Sequence, residues 1–88
     1  MRSPHPIHPG QVLLEEFLQP AQISQRQFAQ KLGWTPARLN ELIKGKRGVS
    51  ADAALDLADA LGTSPELWLN LQMLYDLAHA EARRKRAS

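Results

Sequence analysis

Apolar residues recur along this chain at the three- and four-residue spacings of helices. No segment alternates apolar and polar residues at every second position, so the pattern predicts no β-strand. It predicts five helices instead, at about residues 9–18, 25–32, 36–44, 51–61 and 65–82. We therefore expect an all-α fold in one domain over residues 1–88, with a core at about 9–82 and frayed ends at 1–6 and 83–88.

Polar caps, prolines and glycines mark where these helices begin and end. Small polar side chains accept hydrogen bonds from the first N–H groups of a helix, and proline suits its first position. Glycine suits the left-handed residue that follows a helix. Gln27 completes a capping box with Ser24. These rules place helix starts at Pro9, Ser24, Thr35-Pro36, Ser50 and Ser64-Pro65, and helix ends at Pro20, Gly33, Gly45 and Gly62.

Each of the first four helices has one apolar side, which we expect to form the core. The inward residues are Leu13, Leu14, Phe17 and Leu18; Phe28, Ala29 and Leu32; Leu39, Leu42 and Ile43; and Ala54, Leu57, Ala58 and Leu61.

The fifth helix is apolar on two nearly opposite sides. A chain of this size can bury one of them in its own core, so the other is predicted to meet a second copy in a homodimer. The alternative is a side that stays exposed or lies under the C-terminal tail. The side expected to face the domain holds Leu67, Leu71, Leu74 and Ala78, beside Trp68 and Tyr75. The side expected at the dimer interface holds Leu69, Met73, Leu77 and Ala80.

The second and third helices have the spacing of a helix-turn-helix, over residues 24–44 and with a basic loop through residue 47. A short turn at Gly33 forces the two helices to cross steeply. The free amide ends at Gln25, Thr35 and Ala37 can face phosphates or bases. The outer side of the third helix is suited to base edges and phosphates of double-stranded DNA, with Ala37, Arg38, Asn40, Glu41 and Lys44.

Within this surface, Arg38 is the best candidate for a base contact, because its planar fork matches guanine. The alternatives are an ion pair with Glu41 or a contact to phosphate alone. Asn40 is better placed for phosphate or solvent than for reading adenine. Lys44, Lys46 and Arg47 are expected to bind phosphates without reading sequence, the alternative being a solvated helix end.

Charge is strongly segregated along the chain, although the net charge is only +2. Residues 24–47 hold six Lys or Arg and one Glu, residues 48–82 hold six acids and no Lys or Arg, and residues 83–86 are all basic. This pattern indicates two faces with different partners, one of them a polyanion.

Composition excludes several other classes of protein. Apolar residues make up 43% of the chain, which suits a folded domain, and the absence of cysteine excludes disulfides and thiolate metal sites. No apolar run approaches the roughly 20 residues that span a bilayer, and the N-terminus has no signal-peptide pattern. We therefore expect a cytoplasmic protein with no membrane association.

No arrangement typical of an enzyme or a metal site is present. Glu15 and Glu16 are adjacent, so they project about 100° apart on a helix and cannot flank one substrate. His5 and His8 lack a third ligand nearby, and His79 is far along the chain. We expect no catalysis, no metal and no cofactor.

The segment from Ser24 to Gly33 resembles the start of the helix-turn-helix in the phage-repressor-like family. Further segments make the resemblance more specific, to HigA-type antitoxins of bacterial HigB–HigA toxin–antitoxin systems, over roughly residues 5–80. These segments are His8-Pro9-Gly10, Leu13-Leu14-Glu15-Glu16-Phe17-Leu18, Asn40-Glu41, Gly45-Lys46-Arg47, Ser64-Pro65-Glu66-Leu67-Trp68-Leu69-Asn70-Leu71-Gln72 and Tyr75-Asp76-Leu77.

The resemblance implies an all-helical and usually dimeric protein that represses its own operon and neutralises a partner ribonuclease toxin. It also implies that Gln25 clamps the DNA backbone, and that Ala37, Arg38 and Glu41 meet base edges. Trp34 departs from the family, which more often has a small aliphatic residue there. Its ring is expected either to cap the core over the second or fourth helix, or to rest on a sugar-phosphate strand.

Three functions follow for testing. The first is a repressor that is also an antitoxin, in which the toxin partner comes only from the resemblance. The second is a stand-alone DNA-binding regulator. The third is a protein-interaction module that does not use DNA, and it would tolerate Arg38→Ala and Lys46→Ala. The basic charge of residues 24–47 argues against the third.

Overall fold

The computed structural model describes residues 6–87, and within that range every regular element is a helix. Helix α1 continues directly into a π-helical stretch, and four further α-helices follow. The all-α prediction with five helical segments is thereby confirmed. The elements are α1 (Pro9–Val12), the π-helical stretch (Leu13–Leu18), α2 (Gln25–Leu32), α3 (Pro36–Ile43), α4 (Ala51–Leu61) and α5 (Pro65–Ala87).

The predicted caps explain why the boundaries lie where they do. Ser24 and Gln27 form a reciprocal capping box at the start of α2. The side chains of Thr35, Ser50 and Ser64 each accept a hydrogen bond from the backbone N–H three residues later. Glycines in the left-handed conformation follow α2, α3 and α4, with φ of 75°, 76° and 72°. Local sequence therefore fixes most of the helix limits.

The first helical segment differs from the predicted regular α-helix. The N–H of Gln19 donates to the carbonyl of Leu14 at 2.9 Å, five residues back. The turn continues past Pro20 to Gln22, whose φ is 56°. The N–H of Ile23 then closes the segment on the carbonyl of Leu18 at 2.9 Å. Because Pro20 has no N–H, the backbone bonding at this end is rearranged rather than regular.

The core contains buried residues from every helical segment, and Trp68 is the largest of its fully buried side chains. Trp68 is fully buried, its Nε1 donates to Oγ1 of Thr63 at 2.8 Å, and its ring lies 5.4 Å from that of Phe17. The backbone of α1 approaches α3 so closely that a Cβ at Gly10 would overlap the carbonyl oxygen of Leu42. Most predicted inward residues are buried, Ala53 joins them, and a few lie partly buried against the core, namely Leu14, Phe17, Leu32, Ile43 and Leu61.

Helix α5 turns a different side to the domain from the predicted one. Leu67 and Leu74 are exposed, whereas Trp68 is buried and Leu71 packs against the core. The indole anchors the helix because it buries the largest apolar surface in the described core. The prediction that Leu67, Leu71, Leu74 and Ala78 face the domain is therefore wrong, because the helix is rotated by part of a turn from the predicted orientation.

Helix α5 also extends further than predicted. It runs to Ala87, through the four basic residues that were expected to fray. Arg and Lys favour helices, and positive charge is favourable near a helix C-terminus. The other positions predicted to fray are residues 1–6 and 88. Of these, residues 1–5 and 88 lie outside the described residues. In the part of the chain that the structure describes, no helix combines the length and the apolar character needed to cross a membrane.

Candidate nucleic-acid interface

The connection between α2 and α3 is built by three backbone features. Gly33 adopts the left-handed conformation, with its N–H on the carbonyl of Gln30 at 3.2 Å. The N–H of Trp34 reaches the carbonyl of Ala29 at 3.0 Å. These two bonds close α2 and turn the chain at once into the cap of α3 at Thr35. The result is the short helix-turn-helix connection predicted from Gly33.

A side-chain hydrogen bond joins the two helices of the motif on their outer side. Nδ2 of Asn40 donates to Oε1 of Gln25 at 3.2 Å, and both residues are partly exposed. The sequence indicated both residues but not this contact, because they are 15 positions apart. The bond places the first turn of α2 beside the middle of α3. Each amide keeps further hydrogen-bonding groups for a ligand.

Cations surround the end of α3. Lys44, Lys46 and Arg47 are exposed, as is Ala37 on the same helix. Arg47 pairs with Glu41 at 3.1 Å, and both side chains are about half exposed. Glu41 therefore meets Arg47, and not Arg38 as one alternative proposed. An exposed ion pair contributes only about 0–1 kcal/mol, so it leaves Arg47 able to exchange this partner for a phosphate.

Trp34 lies in the core at the edge of this surface, which decides between its two predicted locations. The residue is 7% exposed, and its Nε1 donates to Oδ2 of Asp56 on α4 at 2.9 Å. The guanidinium of Arg38 lies over the ring, with Cζ 3.8 Å from the ring centroid. The sequence indicated a ring over α2 or α4, and α4 supplies the partner. The stacking of Arg38 on that ring was not predicted.

The basic loop after α3 is held by residues that the sequence analysis did not assign to the site. Oε1 of Gln72 on α5 accepts from the N–H of Val49 at 2.8 Å. The ring of His8 lies close to the backbone of this loop, since a Cβ at Gly45 would be 3.6 Å from it, and its Nδ1 accepts from the N–H of Gly10 at 2.9 Å. Burial lowers the pKa of His8 below its ordinary value, against the raising effects of Asp76 and the Arg47 backbone. The contacts of Gln72 and His8 with the loop join residues far apart in the sequence, so no local pattern marks them.

The histidines form part of an aromatic group. The ring of Tyr75 lies 4.7 Å from that of His8 and 4.4 Å from that of His79. The two histidines are thus brought near one ring, although the sequence separated them. His5 lies outside the described residues. Among residues 6–87, no three His, Cys, Asp or Glu side chains are grouped as a metal ion requires.

A family model described as Helix-turn-helix matches residues 14–68, which is more than half of the chain. The chain belongs to this helix-turn-helix family. The match contains α2, the turn, α3, α4 and the start of α5, including Trp68. The predicted motif at residues 24–44 lies within it, and the identification with the phage-repressor-like helix-turn-helix group is confirmed.

Curated relatives of this chain include a virulence-associated protein, an antitoxin and an HTH-type transcriptional regulator. Virulence-associated protein I of Dichelobacter nodosus is 44% identical over 75 residues, which are 85% of this chain and 69% of the relative. Antitoxin HigA-1 of Vibrio cholerae is 41% identical over 73 residues, 82% and 68% of the two chains. An uncharacterised HTH-type transcriptional regulator of Escherichia coli, YddM, is 36% identical over 77 residues, 88% and 80% of the two chains.

Solved structures of helix-turn-helix antitoxins share the fold. Antitoxin GraA superposes with a TM-score of 0.88 at 44% identity, covering 97% of this chain and 88% of its own. Pseudomonas aeruginosa antitoxin HigA, solved with the higBA promoter, superposes with a TM-score of 0.89 at 38% identity, covering 94% and 90%. The family is one of DNA-binding regulators and antitoxins rather than enzymes.

Proposed function

We propose that this chain is a cytoplasmic repressor that binds operator DNA as a homodimer, represses its own operon, and neutralises a HigB-type ribonuclease toxin. The observation that carries the proposal is the similarity to antitoxin HigA in complex with its promoter, at a TM-score of 0.89 over 94% of this chain. The site described above supplies the chemistry that such a complex needs.

DNA binding is supported by the polarity and charge of one surface. Helix α3 and the loop after it carry Arg38, Lys44, Lys46 and Arg47, while α4 and α5 up to residue 82 carry only acids among their charged residues. DNA neutralisation by Lys and Arg supplies most sequence-independent affinity. In this proposal the three cations after residue 43 contact phosphates, Gln25 and Thr35 hold the backbone, and Arg38 reads a base with Ala37 and Glu41 beside it.

Dimerisation is supported by the apolar side of α5 that the domain leaves uncovered. Leu69, Met73 and Leu77 are 37%, 50% and 37% exposed, and Ala80 is partly buried. Leu67 and Leu74, which were predicted on the other apolar side, are also exposed. In the proposed dimer, the two α3 helices enter successive major grooves, about 34 Å apart.

Toxin neutralisation is supported by the antitoxin relatives. The test is co-expression with the product of the neighbouring reading frame, followed by co-purification and a footprint on the shared promoter. The expected result is a stable complex, loss of ribonuclease activity and a protected two-fold-symmetric site. A neighbour that neither binds nor is inhibited would overturn the antitoxin half, while an unprotected promoter would overturn the repressor half.

A stand-alone regulator is the second candidate, and the similarity to the E. coli regulator YddM favours it. It predicts the same footprint without a toxin partner. A short basic ribonuclease-like reading frame directly upstream in the same operon favours the antitoxin. An isolated gene favours the regulator.

A further inference from the structure

One ring separates the DNA-facing side of α3 from the acidic side of α4. Trp34 receives the guanidinium of Arg38 on its face at 3.8 Å and donates its Nε1 hydrogen bond to Asp56 at 2.9 Å. At 7% exposure it has little freedom to reorient. The indole is thus fixed at its edge by α4 and presents a flat surface to Arg38.

Stacking leaves the hydrogen-bonding edge of Arg38 free. A guanidinium contacts an aromatic ring through its flat face, while its five N–H donors point outward in its plane. The acid one turn away on α3, Glu41, is paired with Arg47 instead. Arg38 is therefore held in one orientation without losing donors to a carboxylate. Holding a flexible side chain in advance reduces the ordering cost that binding would impose on it.

We propose that Trp34 is a positioning residue for DNA sequence reading, and that Asp56 fixes Trp34 in the orientation that Arg38 requires. The proposal rests on the proposed function, in which α3 enters the major groove. It assigns part of the sequence preference to two residues outside α3, one of them on α4. Trp34 and Asp56 act on the base contact only through Arg38.

The experiment uses a duplex that the unsubstituted protein selects from a randomised pool, and a scrambled duplex of the same composition. Sequence preference is the dissociation constant for the scrambled duplex divided by the dissociation constant for the selected duplex. Arg38→Ala is expected to lower this ratio about 5- to 150-fold. Trp34→Leu and Asp56→Ala are each expected to lower it about 2- to 10-fold, because Arg38 must then be ordered on binding. Trp34→Phe keeps an aromatic face but loses the Nε1 hydrogen bond to Asp56, so it is expected to lower the ratio by no more than Asp56→Ala does.

Two readouts separate positioning from general damage to the fold. In an Arg38→Ala background, Trp34→Leu is expected to cause no further loss of preference. The salt dependence of binding is expected to stay unchanged, because the phosphate contacts lie elsewhere. Asp59→Ala removes the same charge from the cleft between α2 and α4, which Asp56 and Asp59 both line, and is the matched control with unchanged preference.

Each outcome decides the proposal. Folded Trp34→Leu and Asp56→Ala proteins with full preference would overturn it, as would an undiminished effect in the Arg38→Ala background. If Trp34→Leu does not fold, Asp56→Ala alone carries the decision, because that side chain is partly exposed. If the unsubstituted protein selects no sequence at all, the proposed function itself fails. A selected sequence with unaltered preference in the variants refutes only the positioning role.

Discussion

The side-chain amide of Asn40 donates to Oε1 of Gln25 at 3.2 Å and thereby joins α3 to the first turn of α2. In the proposed complex this bond sets the distance between the residue that clamps the DNA backbone and the helix in the groove. A buried or interfacial hydrogen bond of this kind contributes about 0.5–1.5 kcal/mol.

Loss of the Gln25–Asn40 bond is expected to weaken operator binding. Asn40→Ala should weaken binding by about 0.5–1.5 kcal/mol, and the dissociation constant should rise accordingly. Gln25→Ala combined with Asn40→Ala should cost less than the sum of the single changes, as measured by fluorescence anisotropy with labelled operator. Gln30→Ala, which removes an exposed amide from the same helix, is the control. Strictly additive losses would contradict the coupling.

Lys46 is expected to act on affinity but not on sequence preference. If a dimer makes about eight phosphate contacts, log K should fall with log salt at a slope near −7, and Lys46→Ala should reduce that slope by about 1.8. Operator and scrambled duplex should lose affinity equally. Lys31→Ala removes the same charge beside Asp56 and Asp59 and should leave the slope unchanged. A slope near zero for the unsubstituted protein would exclude DNA binding.

The exposed apolar side of α5 is expected to hold the dimer together. Leu69→Glu combined with Met73→Glu should give a folded monomer, because two buried charges per subunit would face each other across the contact. Light scattering at micromolar concentration measures the change in mass. Leu55→Glu is the matched control, since Leu55 is 51% exposed on α4. A dimer that survives the double change would place the interface elsewhere.

Stability is expected to fall as pH falls below about 6.5, because of His8. Burial lowers its folded pKa, so the unfolded chain, with an ordinary pKa near 6.5, takes up the proton first. Stability from this group is fully present above that pKa and is lost as pH falls toward the folded pKa. Protonation also turns Nδ1 from the acceptor of the Gly10 N–H into a donor.

The comparison with His8→Asn isolates this contribution. Asn keeps a side-chain acceptor for the start of α1 but does not titrate. The unsubstituted protein is expected to lose more Tm than the variant between pH 7.5 and pH 5.5. Equal losses of Tm in the two proteins would show that protonation of His8 does not lower stability in this pH range.

The sequence predicts the helices well because their limits are set locally. Ser24, Thr35, Ser50 and the glycines act on backbone groups within a few residues, so the neighbouring residues are enough to predict the helix limits. The outer surface of α3 is predictable for the same reason. The side of α5 that faces the domain is not predictable in this way. The helix has two apolar sides, and only packing against the rest of the core determines that Trp68 is buried.

The contacts that organise the site depend on distances between helices. Gln25 meets Asn40, Asp56 meets Trp34 and Gln72 meets Val49 over separations of 15 to 23 residues. No period or cap encodes such pairs. The π-helical stretch was not predicted either, and it ends just before Pro20, which has no N–H to continue a regular helix.

The two tryptophans have environments that differ in kind. Trp68 is buried in the core with its Nε1 on Thr63, whereas Trp34 has a cation on its face at the edge of the candidate DNA-binding surface. We therefore expect the tryptophan fluorescence of the protein to combine one emitter that responds to unfolding and another that responds to the position of Arg38. A Trp68→Phe protein would carry a single built-in optical probe of the site, and no label would need to be attached.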